Sequence, residues 1–394
     1  MPVYQLVYYN KPVSEPTLGN LVSYSVIEKE GGLQKIVEKS ENEIKFDFKK
    51  LNIRRKKVAE KYKITMRKSG KGYYFPIQDC GKKSFIKTDF IDVVKGKKGN
   101  IYFRNMVHCG LVWICPDCNY KISKHRADEL YTQLKKFREN KTDVYFFTVT
   151  IQHFKDEKLK TVYNELNKSF NFANSDKKFK DSHIKYYRAT EITYGENGFH
   201  PHFHCLFAGN DIEAKLNYFA EKIKEYQSAN GCKVNDNTVH IEKWNENLDT
   251  AKDYIFKGMI EKEITAGSSK TGGGVTFWQM LDNVDLYDEK ISEYVRDTKG
   301  LRQNVRSRNF FNKETEIKTD AEILKDDETE TIILRITKAV FMAMVKLNIT
   351  SEFIAMCNYY SVSYALDYLY LQGIEDFDND IKYNYIFENS QLLN

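Results

Sequence analysis

Three histidines at alternating positions constrain the fold of this chain more than any other feature. Residues 199–207 read Phe-His-Pro-His-Phe-His-Cys-Leu-Phe, which places histidines at 200, 202 and 204. Successive side chains of a β-strand point to opposite faces, so a strand here puts all three imidazoles on one face. Neutral imidazole is a common ligand of divalent metals. The pattern therefore predicts a strand that carries a metal site.

The best ligand pair in this strand is His202 and His204. Pro201 cannot donate to a strand ladder and places His200 at the mouth of the strand, so His200 is a further candidate only. Glu191 precedes His200 by nine residues and supplies a carboxylate from the paired strand. Two histidines and one carboxylate leave positions open for a phosphate oxygen and water, which suits catalytic Mg²⁺ or Mn²⁺.

The surrounding sequence predicts an α+β fold. Residues 144–151, 184–193 and 202–208 are rich in β-branched and aromatic types, and the turn at 195–198 joins the last two into a hairpin. Residues 124–139, 156–174, 211–228 and 247–262 have helical patterns, as do the apolar segments 331–346 and 351–371. We expect a central antiparallel sheet with helices, and a helical C-terminal region.

Size and charge set wider limits. A chain of 394 residues is long enough for two or three domains. Its 61 Lys and Arg residues against 55 Asp and Glu residues give a net charge of +6, which permits a nucleic-acid partner without requiring one. Residues 49–72 are strongly basic, and such a run is either a solvated surface or a phosphate-contacting segment.

The cellular compartment follows from the start of the chain and its cysteines. The first residues, MPVYQLVYYNKP, lack the charged and apolar regions of a signal peptide, and the longest apolar run, 339–345, is too short for a membrane span. We therefore expect a cytoplasmic protein with no membrane partner. In a reducing compartment, the seven cysteines favour metal binding or burial over disulfides.

A cysteine cluster predicts a zinc site. Cys115 and Cys118 have the C-x-x-C spacing that binds one tetrahedral ion, and Cys109 adds a third ligand. The fourth ligand is Cys80, His108 or His125; Cys80 is favoured because Asp79-Cys80-Gly81 looks like the first half of a two-part site. A redox pair or reduced structural cysteines are the alternatives. Zn²⁺ would have a structural role, and the nearby basic side chains could face DNA: Lys121, Lys124 and Arg126.

A metal that polarises a phosphate needs a nucleophile. Attack on the phosphate by water would leave free DNA ends, whereas attack by a tyrosine would keep the phosphate in a phosphotyrosine ester that can later be rejoined. Tyr254 and Lys257 are three residues apart and share a face if 247–262 is helical. The lysine ammonium would favour the phenolate and could hold a phosphate oxygen. The same spacing also fits an ordinary amphipathic helix.

The order of five motifs resembles the plasmid rolling-circle replication initiators (Rep), a branch of the HUH endonucleases. The motifs are Cys-Pro-x-Cys (115–118), Phe-Thr-Val-Thr (147–150), Glu-Ile-Thr-Tyr (191–194), His-Pro-His-Phe-His (200–204) and Tyr-x-x-Lys (254–257). Residues 276–281 and 294–307 look like the segments that follow the tyrosine in this family. The resemblance covers about residues 76–310.

The resemblance implies an HUH nicking domain and its chemistry. It carries metal ligation onto His202 and His204, the nucleophile onto Tyr254, and the following lysine onto Lys257; Glu191 matches the acidic residue before the histidine motif. Family members nick one strand of a hairpin-forming origin. They remain covalently attached to the 5′ phosphate and leave a 3′ hydroxyl that a polymerase extends. Origin DNA, a host helicase and polymerase, and self-association are the partners implied.

One position departs from the family pattern. Members of this branch often carry a glutamate four residues before the tyrosine, as the base for a terminating cleavage by water. Here that position is Thr250, and the neighbouring Asp249 and Asp253 are out of register with it. A second tyrosine, another carboxylate or a second subunit would have to serve the termination step.

On this basis we divide the chain into four parts and weigh four functions. The parts are a basic N-terminal region (1–75), a zinc-binding segment and helix (76–140), the HUH endonuclease domain (141–310) and a helical C-terminal region (311–394) for origin recognition or self-association. A replication initiator is the leading hypothesis. The alternatives are a relaxase or transposase of the same superfamily, a non-catalytic zinc- and DNA-binding regulator, and a histidine-triad nucleotide hydrolase, in which a histidine is the nucleophile.

Overall fold

The computed structural model describes residues 26–30, 33–37, 65–67, 74–96, 99–180, 184–245, 247, 274–311, 317–325 and 331–374. Short antiparallel pairs come first in the chain. Val26–Glu30 (β1) pairs with Leu33–Val37 (β2), and Thr65–Arg67 (β3) pairs with Tyr74–Pro76 (β4). A third pair, Phe90–Lys95 (β5) with Ile101–Phe103 (β6), belongs to a sheet completed by the C-terminal part of the chain.

A six-stranded antiparallel sheet forms the centre of the structure. Its strands are Val144–Val149 (β7), Lys185–Gly195 (β8), Gly198–Ala208 (β9), Val239–Lys243 (β10), Val275–Thr276 (β11) and Asn304–Arg306 (β12). The order is β10-β7-β9-β8-β11, and β12 also pairs with β8. The predicted α+β class with an antiparallel sheet is confirmed, and β8 and β9 form the predicted hairpin around the turn at 195–198.

Helices cover both faces of this sheet. They are Pro116–Glu139 (α1), Leu159–Ser175 (α2), Lys177–Lys180 (α3), Glu213–Ala229 (α4), Phe277–Asp282 (α5), Val284–Asp297 (α6) and Asp320–Ile323 (α7), with 3₁₀ turns at Ile77–Asp79 and Asp236–Thr238. Pro116 begins α1. At the first position of a helix the backbone N–H has no partner within the helix, so its absence in proline costs no hydrogen bond.

On one face of β9, Phe203, Cys205 and Phe207 pack into an aromatic core with α2 and α4. Phe203 and Phe207 are fully buried there, with Phe170 of α2 and Phe219 of α4. The even-numbered side chains face the other way. Leu206 and Ala208 belong to a second core with the middle of α1. The three histidines share this second face, so the sheet places them on the side away from the aromatic core.

The C-terminal part of the chain folds with residues near position 100. Thr331–Thr337 (β13) pairs with β5, and three helices follow: Lys338–Leu347 (α8), Thr350–Tyr359 (α9) and Val362–Leu371 (α10). They share one core that includes Phe103, Phe341 and Phe353. Within the described ranges no single helix is long and apolar enough to cross a membrane; only α8 and α9 together, bent by 106°, have that length and composition.

Two predicted helices differ from the structure. The segment 331–346 begins as strand β13 because its residues Thr-Ile-Ile-Leu-Arg-Ile-Thr are mostly β-branched and can pair with β5. The segment 351–371 is two helices, since the Ser361 side chain accepts a hydrogen bond from the backbone N–H of Tyr364 and starts a new helix. Most of the predicted helix at 247–262, residues 248–262, lies outside the described residues and stays a prediction.

Candidate metal centres

The β8–β9 hairpin brings the predicted metal ligands together by its register. Glu191 lies directly opposite His202, and Ala189 lies directly opposite His204. Since opposed residues on neighbouring strands share a face, Glu191 reaches the face that carries the histidines. The neighbouring strand β7 adds Thr148, which lies opposite His204 on its other side.

Glu191, His202 and His204 form a group with the geometry of a metal site. The Oε2 atom of Glu191 lies 2.5 Å from Nε2 of His202 and 2.9 Å from Nε2 of His204. The ligand atoms of the three residues all lie within 4.8 Å of one another. Glu191 and His204 are buried, and His202 is partly buried. Such a cluster of one carboxylate and two imidazoles could hold a divalent ion with positions left open.

The donor set fits a divalent metal in its charge state and in its support. Burial raises the pKa of Glu191, but hydrogen bonds from His202 and His204 outweigh it and hold the pKa well below its ordinary value, so this carboxylate is ionised. Thr148 Oγ1 lies 3.3 Å from Nδ1 of His204. With a metal bound at Nε2 in place of its proton, this hydroxyl would accept the proton on Nδ1.

His200 is placed beside this group but not in it. Its Nε2 atom lies 2.5 Å from Thr150 Oγ1, and its ring stacks on His153 with 4.6 Å between centroids. Burial, with the nearby imidazoles of His202 and His153, lowers the pKa of His200 to about 4, so this ring is neutral at neutral pH. The structure therefore gives His200 a hydroxyl partner instead of the shared carboxylate.

The reverse side of the histidine strand rests on a buried cation that the sequence did not indicate. The guanidinium of Arg188 lies 4.0 Å from the ring centroid of Phe203 and 4.7 Å from that of Phe170. It donates to Asn167 Oδ1 at 3.0 Å. Burial lowers the pKa of Arg188. Stacking on these two aromatic rings stabilises the positive charge of Arg188. It also holds in place the ring of Phe203, which lies between His202 and His204 in the sequence.

The structure brings four cysteines together at the start of α1. Cys80, Cys109, Cys115 and Cys118 are buried, and their sulfur atoms all lie within 4.8 Å of one another. The Sγ atom of Cys80 is 3.5 Å from those of Cys115 and Cys118. Four thiols at these distances could hold one tetrahedral ion, and Zn²⁺ is the ion that such a set prefers in proteins.

Local contacts support the cysteine group as a metal site. The backbone N–H of Gly110 donates to Cys118 Sγ at 3.3 Å, as expected beside a thiolate ligand. Hydrogen bonds within the group hold the pKa of Cys80 well below its ordinary value and raise those of Cys109 and Cys118, so without a metal the four thiols share their protons unevenly. The cysteines share a core with Trp113, and with Trp278 of α5. A metal there would join the segment 77–118 to the helices beside the main sheet.

The other two candidates for the fourth zinc ligand are not members of this group, although the His108 side chain lies beside it and hydrogen-bonds Cys80. His108 contacts the Lys121 ammonium at 3.0 Å, and His125 contacts Glu129 at 3.2 Å. Arg126 is 6% exposed and bonds Glu129 and Asp320, at 2.7 and 2.8 Å, so its charge stays inside the structure and does not face a ligand. The expectation that Arg126 faces DNA is therefore wrong, because the side chain instead anchors α7 to α1.

The predicted nucleophile lies outside the described residues. This holds for Tyr254, Lys257 and Thr250, and for the two nearby aspartates. Their roles remain predictions from the sequence. Sequence reasoning also missed Thr148, Thr150 and His153, whose only sequence signal was their position at the end of the motif 147–150 and just after it.

The stretch of chain that carries Glu191 and the histidines is similar to known replication proteins. Residues 103–232 match the family model described as "Replication protein", and this stretch contains both Glu191 and the histidine motif. A "Protein rep" of Bacillus amyloliquefaciens is 27% identical over 175 residues, which is 42% of this chain and 47% of that relative. A "Protein rep" of Bacillus sp is 28% identical over 168 residues, 42% of this chain and 52% of the relative.

A more distant "Protein rep" of Streptomyces lividans is 23% identical over 146 residues, 29% of this chain and 32% of the relative. The chain spans about half the length of the first two relatives. No solved structure matches the chain. The resemblance drawn from the motif order is confirmed: residues 103–232, about a third of the chain, match the replication protein family model, and the relatives are named "Protein rep".

Proposed function

We propose that this protein is a rolling-circle replication initiator that nicks and rejoins single-stranded DNA at a replication origin. The observation that carries the proposal is the group Glu191, His202 and His204, which lies inside the stretch that matches replication proteins. One carboxylate and two imidazoles on a sheet face suit a phosphate-directed metal better than a structural one, since positions remain open.

Mg²⁺ or Mn²⁺ held by Glu191, His202 and His204 would supply Lewis-acid polarisation of the scissile phosphate. Thr148 orients His204 from behind, and the Arg188 stack supports the strand from the reverse face. The cysteine group, as a structural Zn²⁺ site, would keep α5 and α6 against the sheet.

The bond-breaking step is assigned to Tyr254. Its phenolate oxygen forms a bond to the phosphorus, and the bond from phosphorus to the 3′ oxygen breaks. The 3′ oxygen leaves and takes a proton, which produces a free 3′ hydroxyl and a 5′-phosphotyrosine. Lys257 would favour the phenolate and hold a phosphate oxygen. Attack by a 3′ hydroxyl on the phosphotyrosine reverses the step and joins the strand.

A denaturing gel tests this function. The protein is mixed with Mn²⁺ and a pool of hairpin-bearing single strands labelled at the 3′ end, because the label must stay on the fragment that keeps the 5′ phosphate. We expect a band of protein bound to labelled DNA that needs metal, is absent in Tyr254→Phe and persists in Tyr131→Phe, a tyrosine that is 42% exposed on α1.

Each other outcome has a defined meaning. No adduct from the wild type overturns the proposal in favour of a non-catalytic DNA-binding protein. An adduct that persists in Tyr254→Phe overturns the choice of tyrosine. The same gel tests the relaxase and transposase alternatives, since the sequence of the trapped DNA distinguishes a replication origin from a transfer origin or an element end. Origin DNA is thus the primary partner proposed, with a host helicase, a polymerase and further copies of the chain.

A further inference from the structure

Four imidazole rings form a continuous row that extends beyond the metal group. Neighbouring ring centroids are 4.8 Å apart between His204 and His202, 5.1 Å between His202 and His200, and 4.6 Å between His200 and His153. The last ring is not on the sheet. His153 belongs to the loop 150–158, which connects β7 to α2, so the row leads from the ligand histidines to this loop.

The loop is held in place by several side chains. Gln227 of α4 donates to the carbonyl of Thr150 at 2.9 Å, and the Gln152 side chain accepts the backbone N–H of Lys233 at 2.6 Å. Further along, the N–H of Phe154 donates to Glu157 Oε2 at 2.7 Å, and the Glu157 N–H donates back to the Phe154 carbonyl at 3.0 Å. These bonds fix the backbone on both sides of His153.

The loop also packs closely on the β8–β9 turn. Gly198 has φ of +90°, and a Cβ atom built on it would lie 3.1 Å from the carbonyl oxygens of Phe154 and Lys155. Only glycine combines this backbone conformation with such a close approach. The tip of the loop is therefore docked on the same hairpin that carries the metal ligands.

Phe154 stands on this fixed backbone with 61% of its surface exposed. It follows His153 directly, and the neighbouring Lys155 and Lys158 are exposed, as is Asp156. Single exposed apolar side chains are common, but this one follows a histidine that belongs to the row reaching the metal group, and two exposed lysines lie beside it. This setting suits a ligand that combines an apolar face with negative charge. Nucleotides are such ligands, and stacking on aromatic side chains is a general mode of single-strand binding.

We propose that Phe154, the residue after His153 in this loop, is a stacking site for a nucleobase of the single-stranded DNA. Two ring-to-ring steps separate His153 from His202, so the stacked nucleotide would be a near neighbour of the phosphate at the metal group. The site would hold the strand by a base and so set which phosphate reaches the metal. This inference rests on the proposed function for its ligand, and it adds a contact on the DNA strand outside the metal group.

Fluorescence anisotropy of a labelled single-stranded oligonucleotide, without added divalent cation, tests the site with no covalent step. We expect Phe154→Ala to weaken binding by about 5–150-fold, the range typical of losing one stacked base, and Phe154→Trp to retain it. The matched control is Phe172→Ala, which removes another exposed phenylalanine, 40% exposed on α2, and should leave affinity unchanged.

An abasic nucleotide moved along the oligonucleotide sharpens the test. In the wild type one position should cost affinity, and the same position should cost nothing more in Phe154→Ala. Wild-type affinity in Phe154→Ala, or an equal loss in Phe172→Ala, overturns the stacking site. The covalent-adduct gel is a separate readout: no adduct with an intact Phe154 effect rejects nicking alone, and a normal adduct with no Phe154 effect rejects stacking alone.

Discussion

The carboxylate of Glu191 on β8 lies 2.5 Å from Nε2 of His202, the residue directly opposite it on β9. The two residues are eleven positions apart in the sequence and are joined by the tightest connection a hairpin allows, the turn at 195–198. The register of one hairpin therefore fixes a carboxylate and an imidazole within ligand distance of each other. A shift of one residue in this register would put His202 and His204 on the face opposite to Glu191.

The Thr148 hydroxyl should raise metal affinity by orienting His204. We expect Thr148→Val to lower Mn²⁺ affinity by about 10–100-fold, the usual effect of losing a partner of a metal-bound histidine. Thr150→Val is the matched control, because Thr150 contacts His200 and not a member of the metal group. Isothermal titration with Mn²⁺ measures both variants. A larger loss in Thr150→Val would place His200 among the ligands.

The Glu129 carboxylate should make stability depend on pH. Burial raises the pKa of Glu129, but hydrogen bonds from His125 and Arg126 outweigh it and lower the pKa. A lowered pKa in the folded state stabilises the protein above the ordinary value of 4.5, and this stabilisation is lost as pH falls through the folded-state value. We expect Glu129→Gln to cost about 1–3 kcal/mol at pH 7 and less in acid.

Thermal melts at pH 7 and at acid pH measure this difference. Glu165→Gln is the control, because that carboxylate pairs with Lys168 on the surface of α2, where an ion pair contributes little. A constant destabilisation by Glu129→Gln at both pH values would show that Glu129 acts through packing and not through its charge.

The cysteine group should bind one zinc ion per chain. Cys118→Ser replaces a fully buried thiol of the group, and we expect it to abolish stoichiometric zinc and to lower the melting temperature, because the shared core with α5 loses its metal. Cys232 is a partly exposed cysteine outside the group, so the Cys232→Ser variant should bind zinc like the wild type. Atomic absorption after gel filtration gives the ratio. A zinc-free wild type would refute the site.

Gly198 should be needed for its close contact as well as for its backbone conformation. Gly198→Ala strains a φ of +90° and places a methyl group 3.1 Å from the loop backbone, whereas Gly231→Ala strains a φ of +82° with no atom within 4 Å. We expect Gly231→Ala to show backbone strain alone, about 1–3 kcal/mol, and Gly198→Ala to lose more. Equal losses in chemical denaturation would mean that the loop yields to the added methyl group.

The sequence was informative where the chemistry is local. The alternation of three histidines predicted the strand, its face and the ligand pair, and the turn at 195–198 predicted the partner strand with Glu191. The cysteines needed one distant member, Cys80, and the two-part spacing of zinc sites indicated it. In each case a periodicity or a known motif spacing was enough to predict which residues lie together.

Contacts between distant parts of the chain could not be read in the same way. The pairing of β13 with β5 joins residues more than 200 positions apart, and no local pattern marks it. The apolar run at 331–346 fits a buried strand as well as a helix, so periodicity did not distinguish them. Arg188 is a charged residue within a predicted strand, and the sequence pattern does not show which side chains it contacts. Its position against the Phe203 ring is seen only in the folded core.

Direct binding of Mn²⁺ tests the metal group most directly. Electron paramagnetic resonance follows the loss of the free Mn²⁺ signal as protein is added. We predict one bound ion in the wild type. In Glu191→Gln we predict a loss of Mn²⁺ affinity of about 100-fold or more, because removing a ligand should cost no less than removing the partner of a ligand. The control Glu242→Gln changes an exposed carboxylate on β10, with 65% side-chain exposure, and should bind like the wild type. Wild-type affinity in Glu191→Gln would contradict the assignment of this site.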